Sequence, residues 1–201
     1  MATTLEKFKS FLSNYKDQVL IPLAKQGVLS AEIINQAKEM YLEEMENRKA
    51  IIETREISKK GDLADLHPFY MSTFVVDGIE YKSIEHFWRS KRYTDTADEF
   101  AEEIRATNNA AVAHRKSLNA GQSHEERPDW KDIRKSELKK ALESLAKTDQ
   151  KYRDALLSTD IAKLIFVPPP EDEVLGVNDK GEGMNLLGNL LVEVREELLL
   201  G

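Results

Sequence analysis

The chain has no cysteine in its 201 residues. That excludes disulfide bridges and thiolate metal sites, so a hydrophobic core must hold the fold together. It also has no apolar run of signal-peptide or membrane length, which sets the expectation of an intracellular, cytoplasmic protein without a membrane partner. Positive charge is in deficit: 29 Lys and Arg stand against 36 Asp and Glu, for a net charge of −7. Wholesale coating of nucleic acid is therefore not expected, although a local basic site remains compatible with that balance. Four histidines, His67, His86, His114 and His124, are scattered without ligand spacing, so no metal site is expected. No internal repeat is visible. What the chain does have is a 41% hydrophobic and 32% charged composition, that of a globular protein able to bury roughly 70% of its unfolded surface.

The order of patterns predicts an α+β fold, predominantly helical, in two parts. Residues 1–60 read as an N-terminal helical hairpin, with Leu5, Phe8, Phe11, Leu12, Tyr15 and Val19 at helical spacing, a break near Pro22 and Gly27, and a second polar segment running to about Lys60. Its apolar stripe is thin, so it must lean on the main domain or on a second copy of itself, making a homo-oligomer. Residues 61–201 read as the main domain. Phe74-Val-Val and Ile79-Glu-Tyr81 flank Asp77-Gly78, the dipeptide that most readily supplies a tight hairpin turn. Helices are predicted over residues 83–93, 98–107, 110–118, 130–145 and 151–157. A short apolar run, Leu164-Ile-Phe-Val167, ends at Pro168-Pro-Pro170, and a last helix opens at Asn185 with Leu187, Leu190, Leu191, Val194 and Leu198 on one stripe.

Two stretches carry chemistry. Tyr81-Lys-Ser-Ile-Glu-His-Phe-Trp-Arg-Ser-Lys-Arg-Tyr93 crowds a carboxylate, an imidazole, aromatics and four cations into one helix leaving the hairpin. Ile84, Phe87 and Trp88 share a face, and Glu85, Arg89 and Arg92 stack beside it, either as a solvated ion-pair row or as a site. Lys91 falls on the apolar stripe, where it either snorkels out at the helix end or is partly desolvated. His86 either bonds a neighbouring loop or acts in catalysis. The second stretch, Leu175 to Gly188, spaces its glycines ahead of a helix N-terminus, and reads either as a phosphate or ribose cradle of free amides or as a plain loop with Asn185 as N-cap. Its spacing is not a dinucleotide-binding fingerprint.

Several separated motifs together resemble the NADAR (YbiA-like) family in order and spacing over about residues 62–200. They are Leu66-His-Pro-Phe69-Tyr70-Met-Ser72-Thr-Phe74-Val-Val-Asp-Gly78, Tyr81-Lys-Ser83-Ile-Glu85-His86, Trp130, Asp172-Glu-Val-Leu-Gly176, and Gly181-Glu-Gly183-Met-Asn185-Leu-Leu187-Gly188 with Arg195. The resemblance implies a single YbiA-like domain and an N-glycosidase acting on ribosylamine-type substrates. These are phosphorylated riboflavin-pathway intermediates in some members and ADP-ribosyl groups on guanine in others, so the expected partners are a small nucleotide or ADP-ribosyl substrate, or ADP-ribosylated nucleic acid. No cofactor is implied.

Cutting a ribose C1′–N bond passes through an oxocarbenium-like state, which calls for a carboxylate near C1′. Glu85 is the candidate, with Asp172 as ribose binder or second carboxylate and Lys91 as a further catalytic candidate. Phe69, Trp88 and Trp130 are candidate substrate contacts, the tryptophans by stacking, and Arg89, Arg92, Gly181, Gly183, Asn185 and Gly188 are candidates for holding phosphate. The sequence departs from the family pattern at His67, Pro68, Val167 and Leu175. It departs again at Arg92, where the family has a lysine seven residues after the glutamate, and a guanidinium cannot replace a Schiff-base amine. Three readings follow: an N-glycosidase, a catalytically weakened binder of ADP-ribose or NAD-like ligands, and an assembly module driven by the N-terminal helices.

Overall fold

The computed structural model describes Ser30 and residues 53–119, 123–168 and 172–200. The chain divides into two units at Ile52 and Glu53, and the account below concerns the second, Glu53–Gly201. The helical hairpin expected on residues 1–60 lies, as far as Ile52, outside the described residues. Its expected last turns do not form: Thr54–Ile57 is a strand, β1. It pairs in parallel with β4, Lys163–Phe166, in the register Thr54↔Lys163 to Ile57↔Phe166. Only Ile57 of β1 is fully buried, so the segment carries almost no alternation by which a strand is read.

The hairpin forms as expected. β2, Phe74–Val76, and β3, Ile79–Tyr81, pair antiparallel. Asp77 and Gly78 take φ of 50° and 80°, the two positive angles such a two-residue turn needs. Phe74, Val76 and Tyr81 turn inward, and Ser144 of the long helix ties the outside by donating to the Val75 carbonyl at 2.7 Å.

The helices are α1, Ile84–Lys91; α2, Asp98–Arg105; α3, Ala110–Asn119; α4, Trp130–Thr148; α5, Gln150–Leu157; and α6, Leu186–Leu200. They start within about two residues of their expected positions, and the α+β, mainly helical reading holds. Ser83 caps α1, its hydroxyl accepting the His86 N–H at 3.3 Å. α2, α3 and α4 pack around α1. As a result Glu85, His86, Arg89 and Ser90 are buried along with Ile84, Phe87 and Trp88. Of the Glu85, Arg89 and Arg92 row, the first two are therefore inside the molecule, and Arg92 lies past the end of α1.

α6 lies along β4 with Leu187, Leu190, Leu191 and Val194 fully buried, each such side chain contributing about 1.5–3 kcal/mol over exposure. Gly188 allows that approach, because a Cβ there would sit 2.2 Å from the Leu164 carbonyl oxygen. A second, smaller apolar cluster of Tyr93, Phe100, Ala101, Ile104 and Ala113 locks α2 and α3 together beside the end of α1.

Candidate active site

Burial of a carboxylate costs several kcal/mol unless donors replace its water. Glu85, 2% exposed, has two: Arg89 Nε at 2.6 Å and His114 Nδ1 at 2.7 Å, both donating to Oε1. Arg89, one turn on, is shared. Its Nη2 donates to Asp172 Oδ2 at 2.8 Å, and Trp88 Nε1 donates to the same oxygen at 3.3 Å. The remaining Asp172 oxygen, Oδ1, caps the following turn by accepting the Leu175 N–H at 3.1 Å. A chain of buried groups, His114–Glu85–Arg89–Asp172–Trp88, therefore runs from α3 through α1 to the loop before α6.

Electrostatics keep Glu85 and Arg89 ionised. Burial pushes the Glu85 carboxyl up, but the His114 hydrogen bond and the Arg89 charge outweigh it, and the group is held below the usual carboxylate range. Burial likewise works against the Arg89 charge, and the flanking Glu85 and Asp172 overturn it, raising the guanidinium further. The arrangement is a fixed anion beside a fixed cation, the property needed to meet a developing positive charge without reorganisation.

The wall nearest Glu85 is aromatic. Its backbone N–H donates to the Pro68 carbonyl at 3.0 Å, which brings the segment His67 to Phe69 alongside. Half-buried Phe69 lies 5.8 Å from the His114 ring and 5.1 Å from that of His67, whose own far side meets Phe166 edge-on. His86 takes the looser of its two expected roles: its ring sits 2.7 Å from Ser83 Oγ and 3.1 Å from Thr107 Oγ1, pinning α1 to the loop after α2.

Of the residues singled out from sequence, Glu85, Arg89, Asp172 and Trp88 come together, with Phe69 beside His114. Trp88 and Trp130 are buried and pack on each other at 4.9 Å. Arg92 lies 5.9 Å from both indoles and reaches Glu126 at 3.0 Å. Lys91 turns away: its ammonium is 3.1 Å from Glu137 and 3.8 Å from Asp77.

Ahead of α6, the plain-loop reading describes Met184 to Leu187, whose amides are taken. Met184, Asn185, Leu186 and Leu187 donate their N–H groups to the carbonyls of Glu173, Gly176, Val174 and Leu175. Asn185 spends its side chain on β4, donating to the Leu164 carbonyl at 2.8 Å and accepting the Phe166 N–H at 3.1 Å. Gly183 serves the same interlock, since a Cβ there would meet the Gly176 carbonyl oxygen at 2.4 Å, and exposed Gly181 supplies a positive φ of 79°.

Two buried residues, one in this network and one beside it, carry no signal in the sequence. His114 is an isolated histidine, 29 residues from the carboxylate it touches. Glu137, which holds Lys91 and Lys140, looks like any surface glutamate of a charged helix. Among the described residues no helix is long and apolar enough to cross a membrane, and no cluster of His, Asp and Glu could hold a metal ion.

The domain is of the YbiA type. It matches the NMR structure of Escherichia coli YbiA with a TM-score of 0.63 at 29% identity, over 74% of this chain and 86% of that one. The chain belongs to the NADAR family, whose domain matches residues 35–199, starting ahead of residue 62, where the resemblance is first visible by motif. Among its relatives is the N-glycosidase YbiA of Shigella flexneri, 31% identical over 143 residues, which span 71% of this chain and 86% of that protein. Another is the chloroplastic riboflavin biosynthesis protein PYRR of Arabidopsis thaliana, also 31% identical over 143 residues but matched over only 22% of its length.

Proposed function

We propose that this chain is an N-glycosidase that hydrolyses the C1′–N bond of a phosphorylated ribosylamine or of an ADP-ribosylated guanine. One observation carries the proposal: a fully buried carboxylate, Glu85, kept ionised by Arg89 and His114 at 2.6 and 2.7 Å. Oε1 already accepts both hydrogen bonds, which leaves Oε2 for the substrate. As the C1′–N bond breaks, the electron pair leaves with nitrogen and positive charge gathers on C1′ and the ring oxygen, where a fixed carboxylate stabilises it. Water then adds its oxygen to C1′, and Glu85 takes its proton and passes it to the departing nitrogen, which regenerates the carboxylate. His114 and Arg89 orient Glu85, and Asp172 holds Arg89 in place from the other side.

Names support the same class: the YbiA relatives are called N-glycosidases and PYRR a riboflavin biosynthesis protein. A chromatographic assay with phosphorylated riboflavin-pathway ribosylamines and with ADP-ribosyl-guanosine tests it. Free base or amine must appear, and must vanish in Glu85→Gln; full activity in that variant overturns the mechanism.

A second reading, a binder of ADP-ribose or NAD-like ligands without turnover, draws on the cations. Arg92 stands where the resemblance places a lysine, and Lys91 is committed to Glu137 and Asp77. Thermal stabilisation by ADP-ribose with no product from either substrate class selects it.

A further inference from the structure

The turn after β1 brings a cation to the wall of the Glu85 site. β1 ends where Ile57 pairs with Phe166, and Ser58 closes the turn by donating from its hydroxyl to the Lys60 carbonyl at 2.5 Å. Lys59, exposed between them, sets its ammonium 4.1 Å over the Phe69 ring. Phe69 is the ring beside His114, the residue that holds Glu85. Among the described residues no carboxylate pairs with Lys59, whereas Lys91, Arg89 and Arg92 each have an acidic partner. Lys59 thus pairs a ring contact beside the Glu85 site with an ammonium that no carboxylate of the described residues neutralises.

The second group is His67, 6% exposed. Its Nδ1 accepts the Phe69 N–H at 3.0 Å, so Nδ1 carries no proton. Burial and the nearby Lys59 charge lower its pKa to about 4, against a weaker pull from Glu85, so the ring is neutral near pH 7. A neutral imidazole with a bare Nδ1 must carry its proton on Nε2. Phe69 and Phe166 meet the ring in T-shaped contacts, and no oxygen or nitrogen of the described residues accepts from Nε2. An N–H donor on a fixed ring, beside an ammonium that no carboxylate holds, suits an oxygen that carries negative charge.

We infer that Lys59 and His67 form a subsite for a phosphoryl oxygen of the ligand, with Lys59 supplying charge and His67 a directional N–H. Phosphate is favoured over carboxylate because the ligand class proposed above is phosphorylated, and on that point alone the inference rests on the glycosidase reading. The phosphoryl group belongs either to a ribose 5-phosphate monoester or to the diphosphate of ADP-ribose.

Calorimetric binding to the full chain separates these and needs no turnover. Ribose 5-phosphate and ADP-ribose are compared with ribose and adenosine, which lack the phosphoryl group. The expected result is that Lys59→Met weakens one phosphorylated ligand about tenfold, leaves its unphosphorylated partner unchanged and removes the salt dependence of that difference. Lys59→Arg restores binding to within about threefold, and His67→Phe weakens the same ligand while Lys59 is intact. An equal affinity for phosphorylated and unphosphorylated ligands in the natural chain, or an undiminished difference in Lys59→Met, overturns the inference. Because Glu85→Gln leaves Lys59 and His67 in place, lost turnover with retained phosphate discrimination there supports both proposals. Absent turnover in the natural chain with a Lys59-dependent difference sinks the glycosidase reading alone.

Discussion

His114 and Glu85 meet at 2.7 Å, imidazole Nδ1 to carboxylate Oε1, joining α3 to α1 inside the domain. The bond is one of the two that hold Glu85 below the usual carboxylate range against its burial. A carboxylate with a lowered folded-state pKa adds stability above its unfolded value, and that stability is lost as pH falls through the folded value. In His114→Ala the burial stays and one donor goes, so the loss begins at a higher pH than in the natural chain. Melting temperatures followed from about pH 7 down to about pH 3 measure it. The acid limb of any pH–rate profile moves the same way.

Arg89 sits between two buried carboxylates, at 2.6 Å from Glu85 and 2.8 Å from Asp172. Arg89→Met leaves both without their cation, and removal of one partner from a buried ion pair costs about 3–5 kcal/mol. Arg89→Lys recovers only part of this, since one ammonium cannot span both carboxylates in the manner of a planar fork. Urea unfolding of the two variants is the measurement, and equal stability of Arg89→Lys and the natural chain would show that the bridging geometry is unimportant.

Lys91 is expected to matter for stability and not for turnover. Its partner Glu137 is 8% exposed, and burial of that carboxyl is outweighed by hydrogen bonds from Lys140 and Lys91, which hold its pKa down. Lys91→Met therefore lowers the melting temperature while kcat stays within about threefold. A variant that melts normally but has lost turnover would return Lys91 to the chemistry.

Asn185 gives a test of the loop before α6. Asn185→Ala strands the Leu164 carbonyl and the Phe166 N–H, at about 1–3 kcal/mol for each buried group left unpaired. It also forces alanine to a φ of 45°, whereas Asn185→Gly keeps that conformation and loses only the hydrogen bonds. Chemical denaturation should rank the natural chain above Asn185→Gly, and that above Asn185→Ala.

Local chemistry made most of this fold readable. The Asp77-Gly78 turn, the Ser83 cap and the leucine stripe of α6 are each written within a few residues of one another, and each forms where expected. β1 was not readable, because Thr54-Arg-Glu-Ile57 buries one residue fully and its partner strand lies more than a hundred residues away. The same distinction divides the site. Glu85 and Arg89 pair at helical spacing and stand out by eye, while the reach of His114 to Glu85 depends on how α3 packs on α1. Asn185 and the glycines around it carry the composition of a phosphate loop, yet the Asn185 side chain and the amides of Gly181 and Met184 to Leu187 are spent on neighbouring backbone. Composition names the groups available, and only packing says which are already taken.

The pairing of β1 with β4 also sets an order of events during synthesis. Thr54–Ile57 leaves the ribosome early, but the strand it needs is not made until the helices around Glu85 have emerged. The hairpin and α1 to α5 can gather through local contacts, whereas the sheet must close a loop of more than a hundred residues and carries that entropy cost. Lys59, two residues past that strand, sits over Phe69, so the closure that seals this edge of the core also anchors one wall of the site.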